Sequence, residues 1–162
     1  MYTNIRSILN RNKKEELMGI LIENKIDILG ITESWTHPEV GDAEINLMGY
    51  QVFRRDRKLD CSNKTRGGGV LLYVKDKLIA YEIQDFDAQC EALWVGVRNS
   101  MGEIIIGVCY KSPNAIDFEV ENLYRCIKHY SKKQQLSWVI LITVTLIGKA
   151  WQPLEKEVNL LT

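Results

Sequence analysis

The strongest constraint on the fold is a pair of strand-like segments joined by a short turn. Glu91 to Arg98 reads EALWVGVR and Glu103 to Tyr110 reads EIIIGVCY, with Asn99 to Gly102 between them. Both segments are rich in β-branched and aromatic residues, while Asn, Ser and Gly favour the turn. The pattern predicts two adjacent antiparallel strands.

Other apolar runs predict further strands. Lys25 to Thr32 (KIDILGIT) is a short Ile-rich run, typical of a strand that is buried on both faces, and it places Glu33 at its C-terminal end. Strand-like composition also occurs in Tyr50 to Arg54, in Gly69 to Lys75 and in a segment that begins near Trp138.

Two segments have the apolar spacing of amphipathic helices. One is Lys13 to Lys25, where Leu17 and Leu21 share a face, and the other runs from Asp117 to about Lys132. The order of helix, strands, helix and strand has no repeat. It predicts a mixed α/β sandwich in which helices cover a sheet.

The composition limits the class of protein. The chain has 162 residues, with 21 Lys and Arg against 21 Asp and Glu, so its formal net charge is zero. No global field attracts a polyanion, and any contact with nucleic acid must come from local residues. The length indicates one domain, and a hydrophobic content of 46% excludes a disordered chain.

The cysteines and the most apolar segment indicate an intracellular protein. Cys61, Cys90, Cys109 and Cys126 are widely spaced without a CxxC pair, and no apolar signal segment opens the chain. We therefore expect reduced thiols in an intracellular setting. Trp138 to Gly148 is shorter than the roughly 20 residues that span a bilayer, so we interpret it as a buried strand.

Three polar residues lie at positions that suit phosphate chemistry. Glu33 ends a buried strand, and a carboxylate on such a rigid element suits Mg²⁺, which takes one or two carboxylates plus water and phosphate oxygens. Tyr110 also ends a strand and can donate its hydroxyl to a phosphate oxygen. Asn4, near the start, can donate or accept beside a metal. Spacing alone favours ordinary structural roles for all three.

A basic loop and a glycine run each have two interpretations. The loop contains Arg54, Arg55, Arg57 and Arg66, which can contact DNA phosphates, although nearby acidic residues dilute its charge and favour a solvated face. The run Gly67 to Gly69 opens a strand rather than a helix, and no Lys-Ser or Lys-Thr pair follows. It predicts a turn or bulge rather than a nucleotide loop.

Taken in order, several motifs resemble the endonuclease domain of LINE-type retrotransposons. The match covers about residues 1 to 135, and the ordered set is specific although each part alone is weak. The motifs are Asn4-x-Arg6-Ser7-Ile8, Asp27-Ile28-Leu29-x-Ile31-Thr32-Glu33-Ser34-Trp35, Gly49-Tyr50 with Phe53-Arg54-Arg55-Asp56-Arg57, Gly67-Gly68-Gly69-Val70-x-Leu72-Tyr73-Val74, Glu91-x-Leu93-Trp94-Val95 and Gly107-Val108-x-Tyr110-x-x-Pro113-Asn114.

The resemblance implies a fold and an activity. That domain belongs to the endonuclease/exonuclease/phosphatase superfamily, whose fold is a four-layer α/β sandwich, of α+β type, with two mostly antiparallel sheets between helices. Its members cleave phosphodiesters with Mg²⁺, and the retrotransposon enzymes nick target DNA in the nucleus to prime reverse transcription. DNA and a reverse transcriptase are the implied partners. Glu33 matches the metal ligand, Asn4 the N-terminal active-site Asn, and Tyr110 the Tyr beside the scissile phosphate.

The sequence departs from this family after the second helix. The family continues there with Gly-Asp-Phe-Asn, whereas this chain reads Val144-Thr145-Leu146-Ile147. The codons GGT GAC TTT AAT, read one base later, give those four residues. We therefore expect an N-terminal part of the endonuclease domain over residues 1–143, and a divergent, frameshifted tail over residues 144–162.

The departure also bears on activity. The Asp and Asn of the missing motif and a later Ser-Asp-His end, which carries the general base, are not matched, so we expect a catalytically inactive fragment. We also expect the inner face of its sheet to lack a facing sheet. The alternatives are a non-catalytic remnant that binds DNA or protein, and a decayed element without function.

Overall fold

Eight strands and three helices make up the part of the chain that the computed structural model describes, which is residues 1–56, 67–84, 91–100, 102–111, 116–132 and 138–145. The elements are β1 (Tyr2–Asn4), α1 (Arg11–Glu23), β2 (Ile28–Thr32), α2 (Asp42–Ile45), β3 (Tyr50–Arg55), β4 (Val70–Lys75), β5 (Ile79–Glu82), β6 (Ala92–Asn99), β7 (Gly102–Lys111), α3 (Asp117–Lys132) and β8 (Trp138–Thr145).

The strands form two four-stranded sheets that are mostly antiparallel. The first has the order β1-β2-β4-β3 and the second the order β5-β6-β7-β8. Only β1 with β2 and β7 with β8 are parallel pairs among these described strands. The predicted hairpin is β6 and β7, in which Ala92 lies opposite Cys109 and Asn99 opposite Gly102. That prediction is confirmed.

Three apolar clusters hold four layers together. Helix α1 packs Leu17 and Leu21 against the outer face of the first sheet, and α3 packs Leu123 and Cys126 against the outer face of the second. The third cluster fills the space between the sheets. Its buried members are Val70, Leu72, Val74, Leu93, Val95, Val97, Ile106, Val108 and Tyr110. The layers are therefore helix, sheet, sheet and helix, as the resemblance implied.

The expectation that the inner sheet face has no facing sheet is wrong. Leu72 of β4 and Leu93 of β6 are both fully buried in the cluster between the sheets. The reason lies in the order of the strands along the chain. The first sheet takes its strands from residues 2–75 and the second from residues 79–145, so this stretch forms part of both sheets instead of the whole of one.

Other predictions can be placed on this architecture. Cys109 and Cys126 are buried and form no disulfide within the described residues, whereas Cys61 and Cys90 lie outside the described residues. Residues 146–162 also lie outside them, so the predicted boundary at residue 144 stays a prediction. In the described part of the chain, no helix has the length and apolar character to cross a membrane.

Candidate metal and phosphate site

The candidate site lies where the parallel strands β1 and β2 end. Asn4 pairs with Thr32 in the register of the two strands, and Glu33 follows Thr32. Backbone hydrogen bonds continue past the strands. The N–H of Ile5 donates to the carbonyl of Thr32 at 3.2 Å, and the N–H of Ser7 donates to the carbonyl of Glu33 at 2.8 Å. The two segments that leave the strands are therefore held side by side.

Four residues of these segments have left-handed backbone conformations. The φ angles are +48° for Arg6, +83° for Ser7, +57° for Glu33 and +57° for Trp35. Such a conformation costs a residue other than glycine of order 1–3 kcal/mol, and this kind of strain is concentrated at functional sites. Glu33, which is one of these four residues, is the only one of them with a carboxylate.

The half-buried carboxylate of Glu33 accepts three hydrogen bonds. Its Oε2 accepts from the indole Nε1–H of Trp35 at 2.7 Å and from the backbone N–H of Gly68 at 3.3 Å. Its Oε1 accepts from the hydroxyl of Tyr110. An ionised carboxylate has about four acceptor positions. The fourth, on Oε1, has no donor among the residues that the structure describes.

The contact with Tyr110 joins the two sheets. Glu33 follows β2 of the first sheet, Tyr110 lies in β7 of the second, and the two residues are 77 positions apart in sequence. The structure therefore brings together the predicted metal ligand and the predicted phosphate contact, with Asn4 on the strand next to β2. Their catalytic roles stay predictions.

A glycine turn supplies one side of the site. Gly67, Gly68 and Gly69 have φ angles of +94°, +74° and +76°, and they immediately precede β4. The carbonyls of Gly68 and Gly69 accept from the backbone N–H groups of Trp35 at 3.0 Å and Ser34 at 3.2 Å. The run precedes a strand, as the sequence indicated.

Glu91 forms a second connection between the sheets. Its carboxylate Oε2 accepts from the backbone N–H of Gly69 at 3.0 Å, and its own carbonyl accepts from the N–H of Tyr110 at 2.8 Å. Glu91 thereby ties the glycine turn of the first sheet to the strand that carries Tyr110. The sequence showed this residue only as part of a motif, without a role of its own.

Asn4 ends strand β1, and Tyr2 begins the same strand. The Oδ1 atom of Asn4 is buried and has no hydrogen-bond partner among the described residues. The hydroxyl of Tyr2 shares a hydrogen bond of 2.8 Å with Oγ1 of Thr32. Burial raises the pKa of Tyr2, the hydrogen bond with Thr32 opposes this rise, and the negative charge of Glu33 adds to it. Tyr2 was not predicted as a site residue, although the charge of Glu33 acts on it.

Arg54 is bound within the chain through all five of its N–H groups. Its Nε and Nη2 donate to Asp56 at 3.1 and 2.7 Å, and Nη1 donates to Asp42 at 2.8 Å. The carbonyls of Val40 and His37 accept at 2.7 and 3.0 Å. Burial opposes the guanidinium charge, but the hydrogen bonds to Asp56 and Asp42 outweigh it and raise the pKa of Arg54. A DNA phosphate could bind Arg54 only if one of these bonds broke.

The other predicted phosphate contacts differ in what the structure shows. The Nη2 atom of Arg55 lies 3.4 Å from Oε1 of Glu82 and forms an ion pair with it. Arg57 and Arg66 lie outside the described residues. Contacts of these three arginines with DNA stay predictions.

The oxygen atoms that could bind a metal at this site suit Mg²⁺ better than a metal that needs several protein ligands. Across the described ranges of the chain, no group of three or more His, Cys, Asp or Glu side chains could hold a metal ion. Mg²⁺ is commonly held by one or two carboxylates and completes its shell with water and phosphate oxygens. Two oxygens of the site are of the kind that binds Mg²⁺. They are Oε1 of Glu33 and the buried Oδ1 of Asn4, which has no hydrogen-bond partner among the described residues.

Comparison with solved structures identifies the fold. The endonuclease domain of TRAS1, a telomere-specific non-LTR retrotransposon, matches with a TM-score of 0.60 and 17% identity over 88% of this chain and 56% of that chain. An endonuclease/exonuclease/phosphatase family protein from Leptotrichia buccalis matches with a TM-score of 0.56 and 13% identity, over 86% of this chain and 64% of that chain. The chain has the endonuclease/exonuclease/phosphatase fold.

A third structure with this fold contains a nucleic acid. D. rerio TDP2, complexed with a single-strand DNA product, matches with a TM-score of 0.55 and 13% identity over 88% of this chain and 57% of that chain. The chain thus spans less than two thirds of the length of each of these proteins. Protein-family models and curated proteins give no match. The fold that the sequence motifs implied is confirmed.

Proposed function

We propose that this chain carries the Asn4, Glu33 and Tyr110 part of a Mg²⁺-dependent DNA endonuclease site, and that it binds Mg²⁺ and DNA phosphate without cleaving the strand. The hydrogen bond between Tyr110 and Glu33 supports this proposal most directly, because it holds a hydroxyl that could donate to a phosphate oxygen beside a carboxylate where the two sheets meet. A single carboxylate is a weak Mg²⁺ ligand until a substrate phosphate completes the shell.

Each residue would act on one part of a bound phosphodiester. When bound, Mg²⁺ neutralises negative charge on phosphate oxygens. Glu33 would hold the ion through Oε1, and the amide oxygen of Asn4 would lie beside it. The Tyr110 hydroxyl, which donates to Glu33 in this structure, would turn to donate to a phosphate oxygen.

The choice of DNA rests on the structures that share the fold. One of them is a retrotransposon endonuclease domain and another holds a DNA product. With the sequence motifs, these favour descent from a retrotransposon endonuclease. A reverse transcriptase partner and a nuclear location would accompany that origin.

The proposed lack of cleavage follows from the strand beside Tyr110. Strand β8 is parallel to β7, and its register places Val144 opposite Tyr110 and Thr145 opposite Lys111. The family that the sequence resembles has an Asp and an Asn in the motif that follows this strand, whereas the sequence from 138 to 147 contains neither. Catalytic groups act as a unit, and losing one lowers the rate by roughly 10⁴- to 10⁶-fold in well-studied hydrolases.

The frameshift proposal for residues 144–162 has its own test, which needs only the gene. Codons for Val144 to Ile147 should contain an Asp-Phe-Asn string in the reading frame that begins one base earlier. Codons without such a string in that frame would show that these residues evolved as they stand.

The function is tested by measuring cleavage and binding on the same sample. Nicking of supercoiled plasmid should be undetectable with Mg²⁺, whereas affinity for a short duplex should rise when Mg²⁺ replaces EDTA. Glu33→Gln should abolish that rise, because the neutral amide cannot hold the cation. Binding to duplex should also weaken steeply with salt.

Three results would decide against the proposal. Nicking that disappears in Glu33→Gln and in EDTA would make the chain an active nuclease. Duplex affinity that ignores Mg²⁺ would leave a non-catalytic DNA-binding remnant without a metal site. Absence of duplex binding by the folded chain would favour a protein-binding remnant or a decayed element.

A further inference from the structure

The two oxygens of the Glu33 carboxylate have unequal surroundings. Oε2 accepts from two donors, the Trp35 indole at 2.7 Å and the Gly68 N–H at 3.3 Å. Oε1 accepts from one donor, the hydroxyl of Tyr110. Since each carboxylate oxygen has about two acceptor positions, both positions on Oε2 are used, and one position on Oε1 receives no donor from the described residues.

The two donors on Oε2 are themselves tied together. The backbone N–H of Trp35 donates to the carbonyl of Gly68 at 3.0 Å, while the N–H of Gly68 donates to Oε2. Trp35 is half-buried, and its backbone has the left-handed conformation. Glu33, Trp35 and Gly68 therefore form a closed set of three hydrogen bonds, which holds Oε2 in place.

This asymmetry limits how Glu33 can bind a cation. Bidentate coordination needs an available position on each oxygen, and the closed set uses both positions on Oε2. Only Oε1 can then reach a metal ion. Ca²⁺ accepts bidentate carboxylates and a larger, more flexible shell, whereas Mg²⁺ demands a small octahedral shell and is served by single oxygens.

We propose that Trp35 is a positioning residue that restricts Glu33 to one-oxygen coordination and thereby favours Mg²⁺ over Ca²⁺. This inference rests on the proposed function, because it requires that Glu33 binds the cation. It goes beyond that function by assigning metal selectivity to the indole N–H. In metal sites generally, the hydrogen-bond partners of a ligand orient it and tune its affinity for the metal.

The experiment measures selectivity by competition. A saturating short duplex is present, because the proposed site needs a phosphate to complete the metal shell. Mn²⁺ bound to the chain, after subtraction of the signal of the duplex alone, is followed by electron paramagnetic resonance. Mg²⁺ and Ca²⁺ are titrated separately against it, which gives two dissociation constants for each protein. The ratio of these constants is the readout, since a general loosening of the site weakens both ions together.

Two variants remove one donor each from the same carboxylate. Trp35→Phe keeps an aromatic ring but frees a position on Oε2, whereas Tyr110→Phe frees a position on Oε1 and leaves Oε2 fully used. The affinity for Ca²⁺ relative to Mg²⁺ should rise about tenfold in Trp35→Phe. It should stay at the wild-type value in Tyr110→Phe, even if both affinities change.

Each result has a defined consequence. If the wild-type chain does not bind Mn²⁺, or Glu33→Gln binds it equally well, the proposed function fails and this inference fails with it. If Glu33→Gln loses Mn²⁺ but Trp35→Phe retains the wild-type ratio, the role of Trp35 alone is wrong. A ratio that rises equally in both aromatic variants would also overturn it.

A second measurement covers the case in which Trp35→Phe does not fold. The indole ¹H–¹⁵N signal of Trp35 in the wild-type chain should keep its hydrogen-bonded shift and slow exchange when Mg²⁺ saturates the site. A signal that moves to the position of a free indole would show that Oε2 is released to the metal, contrary to the proposal.

Discussion

The hydroxyl of Tyr110 in β7 donates a hydrogen bond to Oε1 of Glu33, the residue that follows β2. This bond links two residues on opposite sheets at the edge of the apolar cluster between them, in which Tyr110 is itself buried. Because this bond runs from one sheet to the other, its loss should affect both the site and the stability of the packing between the sheets.

The first prediction is that this bond contributes to stability. Tyr110→Phe should lower the free energy of unfolding by about 1–2 kcal/mol, because the acceptor is charged and partly buried. In a double-mutant cycle with Glu33→Ala, urea unfolding should give losses that do not add. Tyr81→Phe is the control, since its hydroxyl also bonds a carboxylate, that of Glu103, but at an exposed position. Strict additivity of Glu33→Ala and Tyr110→Phe would contradict the coupling.

The second prediction concerns the glycine turn. A Cβ at Gly69 would lie 2.5 Å from Oγ of Ser34, and the φ angle is +76°. Gly69→Ala should therefore destabilise the chain by about 2–4 kcal/mol, through steric contact and backbone strain. Gly19→Ala is the matched control in helix α1, where a Cβ meets nothing within 4 Å. It should stabilise by about 0.5–1 kcal/mol, and urea unfolding of both variants measures the difference.

The sequence predicted the elements whose signal is local. The hairpin of β6 and β7 has continuous β-branched runs and a turn between Asn99 and Gly102, so its pairing needed no distant partner. Strand β1 was missed because it has only three residues and its partner in β2 lies 28 positions away, with Tyr2 opposite Gly30. Strand β5 was missed because its four residues are mostly exposed, which leaves no clear alternation.

The site was predictable in part for a similar reason. Asn4, Glu33 and Tyr110 were predicted because their side chains are part of recognisable sequence motifs. The structure shows that the side chains of Glu33 and Tyr110 are in contact. Gly68 and Gly69 donate through their backbone N–H groups, which every residue except proline has. The sequence therefore could not predict their hydrogen bonds to Glu33 and Glu91. The Trp two positions after Glu33 was the one available hint of the indole contact.

The third prediction concerns the arginine that is bound within the chain. Arg54 joins the loop at His37 and Val40 to β3 and α2, and its side chain is 19% exposed. Arg54→Ala should cost about 2–4 kcal/mol, since several partly buried acceptors lose their donor. Arg11→Ala removes an exposed ion pair with Glu15, of 88% and 65% exposure. It should change stability by less than about 0.5 kcal/mol.

A second substitution of Arg54 tests the predicted phosphate contact. If Arg54 only supports the fold, a folded Arg54→Gln protein, which lacks the positive charge, should bind duplex DNA with an unchanged dependence on salt. A salt slope lower by about one would instead assign Arg54 a phosphate contact. Thermal melts of the two variants separate loss of folding from loss of binding.

The last prediction concerns pH and rests on a buried phenol. The hydroxyl of Tyr73 donates to the carbonyl of Ile45 at 2.6 Å, and burial raises its pKa well above the ordinary value of 10.0. In the unfolded chain Tyr73 loses its proton near that ordinary value, while in the folded chain it keeps it. The unfolded state therefore binds fewer protons above this pH, and stability falls as the pH rises.

Tyr73→Phe separates the two effects of this hydroxyl. Near neutral pH the variant should be less stable by about 1–2 kcal/mol, because the Ile45 carbonyl loses a buried donor. Above pH 10 its stability should fall less steeply than that of the wild type, by up to about 1.4 kcal/mol per pH unit. Urea unfolding from neutral pH to about pH 11 measures both quantities. Parallel curves over the whole range would mean that Tyr73 ionises equally in the folded and unfolded states, because only a difference between its two pKa values can change the slope.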